Sequence, residues 1–248
     1  MTDALELRQI VDQLCRNDFR SFAIRAFPVV EPNLLDPARH IDIICRLLEK
    51  VTLGIVLRAL VCIPPRHLKT YLISIAYTAW LLGKNPSARI ICVSYGAALA
   101  EKFNADTLKL MKSPWYKRIF PGTILDPKKQ SATEIGTTSG GYRFATSIGA
   151  TLPGRGADII IIDDPLKANE AHSPTARESC IDWFNTTVHT RSRRLREVRG
   201  WSQEGYADRA DIHRTYVSDI ERGRRNPTIT VVEKLAQPFD VTASQLLD

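Results

Sequence analysis

The sequence predicts two unequal parts: an α/β region built on a parallel sheet with flanking helices, followed by a small all-α domain. Three observations predict this. Short runs that are apolar on both faces, Arg58–Ile63, Arg89–Ser94 and Ala157–Ile162, read as buried parallel strands. Leu72–Leu82 and Ala97–Met111 read as helices between them. Near residue 190 the strand pattern stops and arginine accumulates: from Arg191 to Arg225 there are ten arginines and six acids.

Length and charge bound the alternatives. The chain has 248 residues, which at ~150 residues per domain gives one to two domains. With 44% apolar and 25% charged residues it has a globular composition. Lys and Arg total 34 against 27 Asp and Glu, a formal charge of +7 that suits a polyanion partner. The longest apolar run, Tyr71–Leu82, is short of the ~18 residues of a membrane span and is interrupted by Ser74 and Thr78. No membrane association is expected. The acidic N-terminus lacks a basic stretch before an apolar core, so no secretory signal is expected. Five scattered cysteines, Cys15, Cys45, Cys62, Cys92 and Cys180, form no Cys-x-x-Cys pair. They read as reduced thiols of a cytoplasmic protein.

Residues 1–50 form an N-terminal helical segment, because Leu5, Ile10 and Leu14, then Ile41, Ile44, Leu47 and Leu48, fall near a 3.6-residue period. The α/β region follows, over residues 51–191. In it Ile63–Thr70 leaves an apolar run and opens a helix, the context of a phosphate-binding loop. Helix N-terminal N–H groups would face the anion. Lys69 would reach the phosphates and Thr70 would hold Mg²⁺ through its hydroxyl. Both usual glycines are absent, with Ile63 and Leu68 in their places, and leucine disfavours positive φ. A plain strand end with two prolines is the alternative. Further on, Ile159–Ile162 delivers Asp163 and Asp164 at a strand end. Asp163 suits a Mg²⁺ site and Asp164 the activation of water. Asp-Asp-Pro is also ordinary turn chemistry.

Several blocks resemble the ATPase part of the large subunit of tailed-phage terminases. They are Pro64–Thr70, Ala79–Gly83, Ile91–Tyr95, Ala145–Gly149, Pro153–Asp158, Asp163–Lys167 and Asp182–Asn185. The resemblance covers roughly residues 10–191. It implies a P-loop-type ATPase region, with ATP and Mg²⁺ as cofactors and other terminase subunits as partners. Arg66, His67, Lys69 and Thr70 are placed at the phosphates, and Arg155 in a glycine-rich loop that could approach them. In that family another buried strand follows, between the phosphate-loop strand and the strand bearing the carboxylates. Here Ser192-Arg193-Arg194-Leu195-Arg196 comes instead. The sheet is therefore expected to be incomplete. With that strand and the nuclease half missing, neither motor nor nuclease activity is expected.

The all-α domain, residues 192–248, carries its own signals. Ser202 suits a helix N-cap, with Gly205 a cost of ~1 kcal/mol inside that helix. Ala207 is small where two helices approach. Asp211 stands at a turn where glycine is usual and accepts left-handed geometry. Ile212, Val217 and Ile220 mark the apolar face of the next helix, Gly223 ends it, and Thr228 caps another in which Pro238 falls early. From Leu195 to Leu247 this pattern is similar to the helix-turn-helix domains of phage repressor and Cro proteins. The resemblance implies double-stranded DNA as partner and a homodimer. By position, Gln203 would touch phosphate, and His213, Arg214, Thr215 and Ser218 would face base edges. Arg224 and Arg225 would neutralise the backbone. An amphipathic bundle with a solvated arginine face is the bland alternative.

The expected function is sequence-specific DNA binding by a protein of prophage origin, through a C-terminal helix-turn-helix fused to a truncated terminase ATPase. Two alternatives stand beside it: an ATP-binding terminase fragment active in DNA packaging, and a recombination product without a role. Net charge does not locate the DNA-binding part, because residues 191–248 carry 11 basic and 9 acidic groups, only +2 of the +7.

Overall fold

A computed structural model describes residues 2–32, 35, 37–150, 157–167, 170, 172–183, 196–197, 199–221, 229–241 and 246. Two compact units emerge, Met1–Pro165 and Leu166–Asp248. The junction expected near residue 191 lies outside the described residues.

The first unit opens with α1 (Thr2–Asn17), α2 (Phe19–Val30) and α3 (Arg39–Thr52). Asp18 caps α2, its carboxylate accepting from the Ser21 N–H at 2.6 Å. Phe19, Phe22, Ala23, Ala26 and Phe27 then bury one stripe of that helix. Ile41, Ile44, Cys45 and Leu48 do the same for α3. In α1 the helix forms as expected, but Leu5, Ile10 and Leu14 face outward. The inward residues are Cys15 and Asp12, the latter held by Arg118 Nε at 2.6 Å.

A π-helical turn, Tyr71–Ala76, runs on into α4 (Tyr77–Lys84) and forms the centre of the core. The Tyr77 N–H reaches back five residues to the Leu72 carbonyl, which widens the turn. Phe19 meets Tyr77 edge-on at 5.4 Å, and Phe27 meets Tyr71 at 4.8 Å. The buried hydroxyls are satisfied. Tyr71 donates to the Ala23 carbonyl at 2.6 Å, and Tyr116 to the Ala79 carbonyl at 2.8 Å.

The sheet holds β1 (Arg89–Ser94), β2 (Leu125–Gln130), β3 (Glu134–Thr137), β4 (Tyr142–Ser147) and β5 (Ile159–Asp163), in the order β2-β3-β4-β1-β5. Helices α5 (Ala97–Lys112) and α6 (Pro114–Ile119) lie between β1 and β2 in sequence. β1 pairs in parallel with β4 and β5, so Ser94, Ser147 and Asp163 end the three strands together. β2 and β3 run antiparallel to their neighbours, so the sheet is mixed rather than parallel. The cause is local: Thr138–Gly141 closes a tight β3–β4 turn with Gly140 at φ +86. A Cβ on Gly141 would stand 2.2 Å from the Pro86 carbonyl oxygen, so only glycine fits there.

One expected strand is overturned. Residues 58–63 are irregular, Leu60 is 88% exposed, and Cys62 is exposed. A run apolar on both faces becomes a strand only where neighbours satisfy its N–H and C=O groups. Among the described residues it has no strand partner, and β5 pairs on one side only. These are the two segments expected to flank the missing strand. β5 therefore forms an edge of four consecutive isoleucines, whereas the opposite edge, β2, carries Pro127, Lys128 and Lys129.

The second unit contains α7 (residues 174–183), α8 (Gln203–Arg209), α9 (Arg214–Glu221), α10 (Ile229–Ala236) and a 3₁₀ turn, Gln237–Phe239. Tyr206, Ala207, Val217, Ile220, Leu235 and Phe239 form its core. Pro238 stops α10 early as expected, and Asp240 follows in left-handed geometry at φ +56.

Candidate DNA interface and phosphate site

In the second unit the Ser202 hydroxyl accepts from the Gly205 N–H at 3.0 Å and starts α8. Asp211 turns the chain at φ +49, and the Ile212 N–H reaches the Ala207 carbonyl at 3.1 Å. This brings α9 back against α8. Lys234 Nζ fixes the turn from α10, 2.8 Å from Asp211 Oδ2, and the pair pulls the Asp211 carboxyl below its ordinary range.

α9 has two faces. Val217, Ile220 and Glu221 point inward. Arg214 and Thr215 are exposed and Ser218 half-exposed; at i, i+1 and i+4 they share the outer face. The structure thus brings together three of the expected base-reading residues. His213 is exposed as well and is also engaged at the start of α9. Its carbonyl accepts from the Tyr216 N–H at 2.8 Å and its ring Nδ1 from the Thr215 N–H at 3.3 Å, so it caps α9. Gln203 is half-buried, and its Nε2 donates to Glu221 Oε2 at 2.8 Å, at the edge of a buried cluster. There Arg196 pairs with both Glu221 oxygens, at 2.6 and 3.1 Å, and donates to the Trp201 carbonyl at 2.6 Å. Gly223, Arg224, Arg225, Pro227 and Thr228 lie outside the described residues.

In the first unit the loop before the π turn adopts the geometry that its sequence resists. Arg66 is at φ +64 and Leu68 at φ +62, where glycine would be unstrained, with His67 between them on the negative side. Alternation of this kind turns successive N–H groups toward one point and makes an anion-binding concavity. Each left-handed side-chain residue costs roughly 1–2 kcal/mol. Asp164, at φ +47, adds a third. Lys69 lies on the first helical turn, its ammonium 3.4 Å from Asp163 Oδ1 and hydrogen-bonded to Asp164 Oδ1. Burial alone would lower its pKa; the two carboxylates prevail and raise it. Asp163 is buried and Asp164 exposed. Thr70 is half-buried beside Lys69. The His67 ring lies against the Pro65 carbonyl at 2.9 Å and edge-on to His40 at 5.4 Å. Arg155 lies outside the described residues.

Sequence reasoning missed the inner half of this site. Ser74 donates to Asp163 Oδ2 at 2.9 Å. Arg143, with no exposed surface, donates to the Ser74 carbonyl at 3.0 Å, to Thr78 Oγ1 at 3.3 Å and to Asn104 Oδ1 at 2.7 Å. Burial lowers its pKa. The available signal was Ser74 and Thr78, the two polar interruptions in an apolar helix.

Comparison with known proteins bears on the second unit. The helix-turn-helix family matches residues 193–246. Control protein C.BamHI of Bacillus amyloliquefaciens is 42% identical over 59 residues, 22% of this chain and 73% of that protein. The immunity repressor protein of Bacillus phage phi105 is 33% identical over 61 residues, 25% of this chain and 42% of the repressor. The HTH-type transcriptional regulator SinR of Bacillus subtilis is 36% identical over 62 residues, 25% of this chain and 56% of SinR. The family match begins at residue 193 and leaves the first unit outside it. Through residues 193–246, the chain belongs to the helix-turn-helix family.

Proposed function

We propose that this protein is a sequence-specific DNA-binding regulator, acting as a homodimer on double-stranded DNA through residues 193–246. The observation that carries this is the outer face of α9, where Arg214, Thr215 and Ser218 stand opposite the buried Val217 and Ile220. An exposed helix face of this kind suits the major groove, and the relatives' names as regulators and repressors support the reading. Selection from random duplexes with the full chain should enrich a palindromic site. Arg214→Ala should weaken binding to that site by roughly 1–3 kcal/mol while leaving weak binding to unrelated DNA. Failure to enrich any site, or an unchanged Arg214→Ala, would defeat the proposal.

A second reading concerns the first unit. We infer a nucleoside triphosphate site of terminase type at Arg66–Thr70, supported by the left-handed pair Arg66 and Leu68 and by Lys69 beside Asp163 and Asp164. The donor set fits ATP with Mg²⁺: N–H groups and Lys69 for phosphate oxygens, Thr70 and Asp163 for the metal, Asp164 for water. When bound, Mg²⁺ would neutralise phosphate charge. With this site the protein would be a terminase-derived ATP-binding region, of prophage origin, joined to a DNA reader. Calorimetric titration with MgATP should show binding that Lys69→Ala removes, and no binding by the wild type sinks the reading.

A further inference from the structure

The site as it stands is half charge-compensated from within, one ammonium serving two carboxylates. Lys69 contacts Asp163 Oδ1 and Asp164 Oδ1, and Ser74 engages the other Asp163 oxygen. Asp163 is only 6% exposed, so water cannot replace a lost partner cheaply. Lys69 thus serves two customers that cannot both have it: the carboxylates now, and an entering phosphate later.

We propose that Lys69 is an internal stand-in for the divalent cation, a latch that makes cation and nucleotide binding mutually dependent. This rests on the nucleotide reading for the identity of the anion, but not for the latch itself. A cation alone meets carboxylate oxygens that Lys69 already holds and a charge that Lys69 already half cancels. Free nucleotide alone must draw Lys69 away, and that leaves two unpaired carboxylates, one of them buried, beside the phosphates. Only the two together release Lys69 to the anion while Asp163 keeps a counter-charge. By linkage, the factor by which the cation tightens nucleotide binding equals the factor by which nucleotide tightens cation binding.

The test is Mn²⁺ binding followed by electron paramagnetic resonance on the full chain, with no nucleotide present. Wild type should bind Mn²⁺ weakly. Lys69→Met, which frees both carboxylates, should bind it at least tenfold tighter, and Lys69→Gln should behave alike. Adding Asp163→Asn to Lys69→Met should abolish the gain. In wild type, a non-hydrolysable ATP analogue should tighten Mn²⁺ binding at least tenfold beyond the Mn²⁺ that the analogue alone takes up, measured without protein, and Lys69→Met should lose this extra gain. Circular dichroism of each variant establishes that it is folded, and Lys69→Gln replaces Lys69→Met should the latter not fold. Equal Mn²⁺ affinity in wild type and the folded Lys69 variant overturns the latch. Tight Mn²⁺ binding by the variant with no response of wild type to the analogue keeps Lys69 as the cation's stand-in but removes its coupling to nucleotide, and with it the nucleotide reading.

Discussion

Removal of the Glu221 carboxylate should unfold the DNA-binding unit without touching a DNA contact. Glu221 and Arg196 are 9% and 8% exposed, and their bidentate pair ties the start of the domain to the end of α9. In Glu221→Ala the guanidinium keeps, among the described residues, the Trp201 carbonyl and the exposed Glu197, whose carboxylate lies 3.8 Å away. Breaking a buried pair from one side costs about 3–5 kcal/mol, mostly the stranded charge. A family domain of residues 193–246 has about 3–8 kcal/mol in total, at roughly 0.05–0.15 kcal/mol per residue. The single variant should therefore be marginal or unfolded at 25 °C. Arg196→Met combined with Glu221→Leu removes both charges and should recover most of the loss. Hydrogen exchange measured on peptides within residues 203–221 follows this unit alone: protection should collapse in Glu221→Ala and return in the double variant. A single variant that keeps wild-type protection would refute the argument, because the pair would then contribute little. A double variant as unprotected as the single would show that geometry rather than stranded charge is decisive.

Three further outcomes are expected. Alkylation of the native chain should mark Cys62 first, whereas Cys15 and Cys45, whose thiols burial pushes up to about 11 and about 12, should stay protected; a protected Cys62 would restore residues 58–63 as a buried strand. Asp211→Gly should be more stable than Asp211→Ala by about 1 kcal/mol in urea unfolding, because alanine bears the full left-handed cost at φ +49. The Asp211–Lys234 pair should also stabilise above the ordinary carboxylate pKa of 3.8 and fade as pH falls below it, since the folded-state value is lowered; an acid titration in which Asp211→Asn loses the same stability as wild type would contradict that.

The second unit was legible because its signals are local. A cap at Ser202, a left-handed Asp211 and a helix stop at Pro238 are each decided within a few residues, and each takes the expected form. What the sequence hid there was competition between partners. Gln203 has the position of a phosphate contact, but Glu221 is 2.8 Å away and holds the amide. His213 has the position of a base reader, but the first N–H groups of α9 need an acceptor and its ring supplies one. Both depend on a neighbour that spacing alone does not reveal.

In the first unit legibility ran out where pairing begins. β1 and β5 satisfy each other, so Ile90–Ser94 and Ile159–Asp163 become strands as read. Residues 58–63 are as apolar as either but remain irregular, because a strand is a property of a pair and not of a sequence. The same rule explains why the loop was harder to judge than its residues. Leucine at position 68 argues against a phosphate loop on propensity, but the chain places it at φ +62 and accepts the cost. Leu68 packs its side chain on the core, and its carbonyl accepts from the Leu72 N–H at 2.9 Å. Strain held by packing at one end and by Lys69 with two carboxylates at the other marks a site where the structure over-determines an unfavourable backbone. Leu68→Gly separates these contributions. It relieves roughly 1–2 kcal/mol of left-handed strain but removes the packed side chain. If packing imposes the loop's shape, the variant should gain no thermal stability, and exchange of the Lys69 and Thr70 amides should rise. If the glycine variant is instead both more stable and better protected there, the leucine is merely tolerated and the strain argument for a site at this loop fails.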